Sequence, residues 1–149
     1  MSFSQTAQET IDYLKTFYSN VKTNGSFEVN IDYNNVSIYE GKAKGFIFIN
    51  QCVSYNSTEG CTSYETEHIN CKDISGINLK FQPYKLISDV GKTKVEENEC
   101  WLLKIHYSNK DFTFCLNSED DKYASRLKNS LTKLAKYSGA KILSEELFD

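Results

Sequence analysis

The chain has 149 residues, with 17 Lys and Arg against 20 Asp and Glu, for a formal net charge of −3. That length suits one domain able to bury a core without metal or disulfide, and its 40% apolar and 13% aromatic content excludes a disordered chain. The acidic balance argues against general nucleic-acid binding, and no run approaches the roughly 18 apolar residues of a membrane helix.

The amino terminus, Met1-Ser2-Phe3-Ser4-Gln5-Thr6, has neither the basic start nor the apolar run of a secretory signal, and neither end carries a lipidation motif. Over residues 4–22, Ala7, Ile11, Leu14, Tyr18 and Val21 recur at spacings of four and three, which predicts a helix with one apolar face. Ser2 and Gln5 have the spacing of a capping box, and Asn24-Gly25 stops the segment. The period then becomes two. Phe27, Val29, Ile31 and Tyr33 alternate with Glu28, Asn30 and Asp32, as in a half-buried strand. Asn34-Asn35 tolerates the positive φ of a tight turn, and Val36 and Ile38 continue the same face, so a hairpin is expected there. Gly41-Lys42-Ala43-Lys44-Gly45 reads as a second turn.

Phe46 to Tyr55 is apolar on both faces, the mark of a central strand. Asn56 to Glu65 reads as a polar loop and Glu67 to Cys71 as a strand. Asp73-Ile74-Ser75-Gly76 turns the chain into the alternating Ile77, Leu79 and Phe81. Pro83 interrupts, Tyr84 to Ser88 is expected at an edge, and the charged Asp89 to Asn98 reads as a loop. Trp101, Leu103, Ile105 and Tyr107 alternate again, Ser108-Asn109-Lys110-Asp111 reverses the chain, and Phe112, Phe114 and Leu116 return. Trp101 is therefore expected to be buried. Ser118 caps a helix over 119–137 with Glu119, Asp120 and Asp121 in its first turn, Tyr123, Leu127, Leu131 and Leu134 on its buried face, and Gly139 as its stop.

These elements predict an α+β single domain over 1–149. It has a helical extension (1–24), a strongly bent antiparallel sheet or partly open barrel of about seven strands with a helix packed on it (27–137), and a tail (140–149). Ile69-Asn70-Cys71-Lys72-Asp73-Ile74-Ser75-Gly76-Ile77, with Trp101 to Leu116 leading into the helix over 119–137, resembles the pleckstrin-homology-like superfold. The resemblance implies a bent sheet closed by the C-terminal helix. It also implies a domain that binds phosphoinositides, peptides or protein partners and is not an enzyme.

The five cysteines, Cys52, Cys61, Cys71, Cys100 and Cys115, are odd in number and form no CxxC pair, which predicts free thiols in the cytoplasm. Without a signal, the glycosylation patterns Asn24-Gly25-Ser26, Asn35-Val36-Ser37 and Asn56-Ser57-Thr58 read as chance. Cys52, Cys61, His68 and Cys71 are close enough in sequence to suggest zinc, but their spacing fits no standard knuckle. His68 and Cys71 also fall on opposite faces of a strand. No metal or cofactor is expected. His106 and Cys115 share the face opposite Trp101 and Phe114, the one pairing here that points to nucleophilic chemistry, with no carboxylate evident to orient the imidazole.

Basic residues give the remaining candidates. The pleckstrin-homology-like resemblance implies that Lys42 and Lys44 sit where such domains place lipid-binding groups, and Lys122, Arg126, Lys133 and Lys136 share one face of the last helix with Asn129. A solvated helix face has the same pattern. Beyond Gly139, Ile142-Leu143 and Leu147-Phe148 flank Glu145-Glu146, a tail suited to docking in a groove or folding back on its own domain. The leading expectation is a non-catalytic binding module for a protein, acidic lipid or acidic peptide. The alternatives are a small-molecule carrier with a cavity inside the curved sheet, and a hydrolase or transferase built around His106 and Cys115.

Overall fold

A computed structural model describes residues 6–23, 28–82, 85–88, 94–97, 99–117 and 121–143. It is an α+β fold in which curled antiparallel sheets form a half-barrel, with helices at both ends of the chain. Helix α1 (Ala7–Phe17) starts at Thr6, whose hydroxyl oxygen accepts from the Glu9 N–H at 3.1 Å and donates back to the Glu9 carboxylate. The expected Ser2/Gln5 box lies outside the described residues. The helix ends earlier than the expected 22, because Tyr18 caps it and Asn20–Val21 already forms strand β1. Ile11, Leu14 and Tyr18 do face the core, and Val21 reaches it from β1.

Strands β2 (Val29–Asp32), β3 (Val36–Tyr39), β4 (Lys42–Asn56) and β5 (Gly60–Asn70) correct three expectations. Asn34-Asn35 is not a hairpin turn. β2 and β3 both run antiparallel to β4 in nearly one register, Asp32 opposite Phe48 and Val36 opposite Gly45. The extra residue between them makes a bulge. The Asp32 carboxylate accepts the Asn34 N–H at 2.8 Å, and Tyr33 O accepts the Val36 N–H at 3.1 Å, so the asparagines kink a strand rather than reverse it. The reversal falls at Glu40-Gly41, with φ of 51° and 78°. Lys42 to Gly45 is therefore strand, not turn. The kink brings Asn35 O so close to β4 that a Cβ on Gly45 would lie 2.0 Å from it, and Gly45 takes φ 125°.

The expected polar loop at 56–65 is mostly strand. Ser57 to Glu59 turn the chain, and β5 pairs β4 from Gly60↔Asn56 to Asn70↔Phe46. The tip beyond Gln51 extends past β2 as a two-stranded ribbon, where no core face imposes an apolar alternation. A Cys52–Cys61 disulfide closes it, and a second disulfide joins Cys100 to Cys115, leaving Cys71 as the free, buried thiol. The expectation of five free thiols is thus overturned: antiparallel pairing brings residues far apart in sequence to neighbouring positions, and spacing along the chain does not reveal it.

After a 3-10 turn (Cys71–Asp73), β6 (Ile74–Gln82) pairs β9 (Cys100–Tyr107), which pairs β10 (Lys110–Asn117) through the Ser108-Asn109 turn. Between them β7 (Lys85–Ser88) and β8 (Lys94–Glu97) form a hairpin, so part of the expected 89–98 loop is strand. Pro83 lies outside the described residues. Among those residues there are ten strands rather than about seven. A bridge between Thr23 and Leu116, with Asn117 N–H donating to Lys22 O at 3.2 Å, joins the continuation of β1 to β10 and continues the curl.

Helix α2 (Asp121–Tyr137) buries Tyr123, Leu127, Leu131 and Leu134 as expected, against β4, β6 and β9, and packs on α1 through the Tyr18 and Tyr123 rings, 4.9 Å apart. Ser118, Glu119 and Asp120 lie outside the described residues. Gly139 stops the helix with φ 84°, and the Ala140 N–H returns to Ala135 O. Trp101 keeps the expected phase but is half-buried, its ring edge-on to the exposed Phe81. Of the tail, Ile142 packs on the core and the Leu143 N–H donates to Ser75 O at 2.7 Å; residues 144–149 lie outside the described residues.

Burial of tyrosines in this core has a measurable consequence. Burial raises the Tyr33 hydroxyl well above its usual value; burial together with the Tyr13 hydroxyl raises Tyr18, and burial together with the Glu67 carboxylate raises Tyr107. Burial pushes the Cys71 thiol up to about 11. All four hold their protons more tightly folded than unfolded. Their contribution is therefore complete below the unfolded values, 9.0 for the thiol and 10.0 for the phenols, and is lost as pH rises through and above them. Thermal unfolding followed from neutral to about pH 11 should show the midpoint falling from about pH 9 upward. A flat profile over that window would contradict the burial of these groups.

Candidate functional site

The two faces of the first sheet differ sharply. Val29, Ile31, Ile47, Ile49 and Ile69 point into the core. On the outer face, Asn20 lies opposite Asn30, Asn30 opposite Asn50, and Asn50 opposite Thr66, so one row crosses β1, β2, β4 and β5. Residues paired in this way share a face of the sheet. Asn30 Nδ2 donates to Asn20 Oδ1 at 2.9 Å and to Ser19 O at 3.0 Å, and Thr66 Oγ1 donates to Asn50 Oδ1 at 2.5 Å.

Flanking rows frame this one. On one side Tyr64 donates its hydroxyl to the Glu28 carboxylate at 2.8 Å, reaching from β5 across β4 to the residue preceding β2. That hydrogen bond raises the Tyr64 hydroxyl above its usual value. On the other side the Phe48 and His68 rings stack at 4.2 Å. A cleft of about 630 Å³ lies over the row, lined by Asn20, Thr23, Glu28, Asn30, Asn50 and Tyr64, with Val21 and Val29. That volume falls within the roughly 300–1,000 Å³ range of small-ligand sites.

Asparagine is a poor strand residue, because its short amide competes for backbone hydrogen bonds. Three in one row, where Thr or Val has the higher strand preference, break the local rule, their hydrogen bonds being to one another, to Ser19 O and to Thr66, and such breaks concentrate at functional surfaces. Sequence reasoning missed these residues. Asn20, Asn30 and Asn50 are far apart along the chain, and only strand register gathers them.

None of the sequence-derived candidates lines this cleft, although Lys42 and Lys44 share its face of β4. Lys42 and Lys44 are exposed on the face of β4 opposite the buried Ala43, whereas Lys122, Arg126, Lys133 and Lys136 are exposed on the solvent side of α2. His106 and Cys115 are not neighbours. His106 pairs Asp111 and Cys115 pairs Leu102, four residues along the strand, and Cys115 is tied up in its disulfide. A carboxylate does sit beside the imidazole, since Asp111 Oδ1 lies against His106 Nδ1 from the register partner. Ser75, in the adjacent bulge, directs its hydroxyl to the His106 carbonyl. Of the zinc set, Cys52 and Cys61 are bonded to each other and His68 stacks on Phe48. Among the described residues no group of three His, Cys, Asp or Glu is gathered for a metal ion, and no helix is long and apolar enough to cross a membrane.

Comparison with protein-family models, with curated proteins and with solved structures finds no match to this chain.

Proposed function

We infer that this protein is a non-catalytic binding module whose ligand surface is the outer face of the first sheet. The observation that carries this reading is the row Asn20–Asn30–Asn50 beneath a cleft of about 630 Å³. A curled antiparallel sheet followed by a helix packed on it supports placing the fold with the pleckstrin-homology-like superfold, whose members bind rather than catalyse. The carrier alternative finds less support, because Ile31, Ile47, Ile49, Leu103, Ile105 and Leu127 fill the interior of the curl with 0% exposure. The two disulfides favour an oxidising compartment over the cytoplasm expected from the sequence.

Amide-detected NMR of the full chain, screened against a library of small polar fragments, tests the reading. Shifts should cluster at Asn20, Asn30, Asn50 and Tyr64; hits scattered over the surface would sink it. A second reading rests on the four exposed cations of α2 in a chain of net charge −3. They would draw the protein to vesicles of acidic lipid at low salt, with binding lost on raising salt or on reversing Lys133 and Lys136 to Glu. Binding indifferent to that reversal would remove this second surface.

A further inference from the structure

The geometry points to a neutral saccharide as the ligand of the cleft, an inference that rests on the binding-module reading above. The first ground is charge. Among the described lining residues Glu28 is the sole charged side chain, and it is acidic, so phosphate esters and acidic headgroups are repelled rather than drawn in.

The second ground is the hydrogen-bonding pattern. Asn30 commits its side-chain donor nitrogen to Ser19 O and Asn20 Oδ1, and Asn50 Oδ1 is engaged by Thr66. The groups these bonds leave for a ligand are the acceptor Asn30 Oδ1 and the donor Asn50 Nδ2, carried by directly opposed residues. An acceptor beside a donor is what a hydroxyl requires, since it donates and accepts at once. A run of hydroxyls on a sugar ring repeats that demand. The Tyr64 ring, 50% exposed at the rim, offers apolar contact to the C–H face of such a ring.

The third ground separates a saccharide from a peptide. Peptides that bind sheets use an unpaired strand edge and pockets for alternate side chains. Here β2 is paired on both sides by β1 and β4, and β4 by β2 and β5, so the main chain at Asn30 and Asn50, the floor of the cleft, is already committed. The polar side chains lining the cleft are amides, a phenol, the Thr23 hydroxyl and one carboxylate.

The test is a printed array of neutral glycans probed with the full chain, followed by NMR titration of the best binder. A neutral tripeptide and an acidic-lipid vesicle serve as parallel arms, and the Asn50→Thr variant is run beside the native protein. A neutral glycan should bind and shift Asn20, Asn30, Asn50 and Tyr64, and Asn50→Thr should weaken it about tenfold or more, the equivalent of one well-placed hydrogen bond. An unchanged spectrum outside the cleft shows that the variant is folded; Asn50→Ala is the second variant if it is not. Binding of the tripeptide or vesicle at this face with no glycan bound would overturn the saccharide and leave the binding module standing. Glycan binding that survives both substitutions would overturn this site. No probe shifting this face would overturn both readings together.

Discussion

Replacing Gly45 by Ala is expected to destabilise the protein by about 3 kcal/mol or more, among the largest effects of any single methyl group in the chain. Gly45 has φ 125°, a conformation that L side chains rarely adopt, and its added Cβ would sit 2.0 Å from Asn35 O and 3.0 Å from Asn35 C. Both obstacles are backbone, and neither can swing away. Relief would require the kink between β2 and β3 to open, breaking the Phe46 N–H to Asn35 O bond of 3.2 Å. Chemical denaturation should show the midpoint falling with an unchanged slope. The same substitution at Gly41, whose φ is 78° but whose Cβ position is open, should cost only about 1–2 kcal/mol. Equal effects at the two glycines would mean that β3 does not lie beside β4 as described.

Reduction is expected to be the second large perturbation. The disulfides close loops with separations of 9 and 15 residues. Restricting the unfolded chain in this way contributes about 3 kcal/mol for a loop of roughly 15 residues. In a chain of this size each kcal/mol moves the melting midpoint by about 2–4 °C. A reductant should therefore lower it by about 10 °C, and Cys100→Ser with Cys115→Ser should reproduce much of the loss. Thiol titration in denaturant without reductant should find one thiol, Cys71. A titre of five, with a melting midpoint unmoved by reductant, would refute the pairing.

What was legible from the sequence follows from which interactions are local. The face of α2, its Gly139 stop, the alternation through β9 and β10 and their Ser108-Asn109 turn are written in spacings of two, three and four, and the structure has them where expected. The errors arose where a local preference met a longer-range one. Asn34-Asn35 has turn chemistry, but β4 is long enough to take β2 and β3 on one edge, so the preference makes a kink. Cys61 to Glu65 lacks an apolar alternation because the ribbon tip has no core beneath it. The candidate site was the least legible part. Nothing links Asn20, Asn30 and Asn50 along the chain, and the carboxylate beside His106 is hidden because Asp111 reads as a turn residue, whereas it lies on the partner strand.

If the asparagine row serves a ligand rather than the sheet, denaturant unfolding of Asn50→Thr should reveal no loss of stability. Threonine is the better strand residue, and a Thr opposite Thr66 can still hydrogen-bond across the pair. Stability should be unchanged or raised by up to about 1 kcal/mol. A loss of more than about 1 kcal/mol would show that Asn50 serves the fold itself, and would contradict the claim.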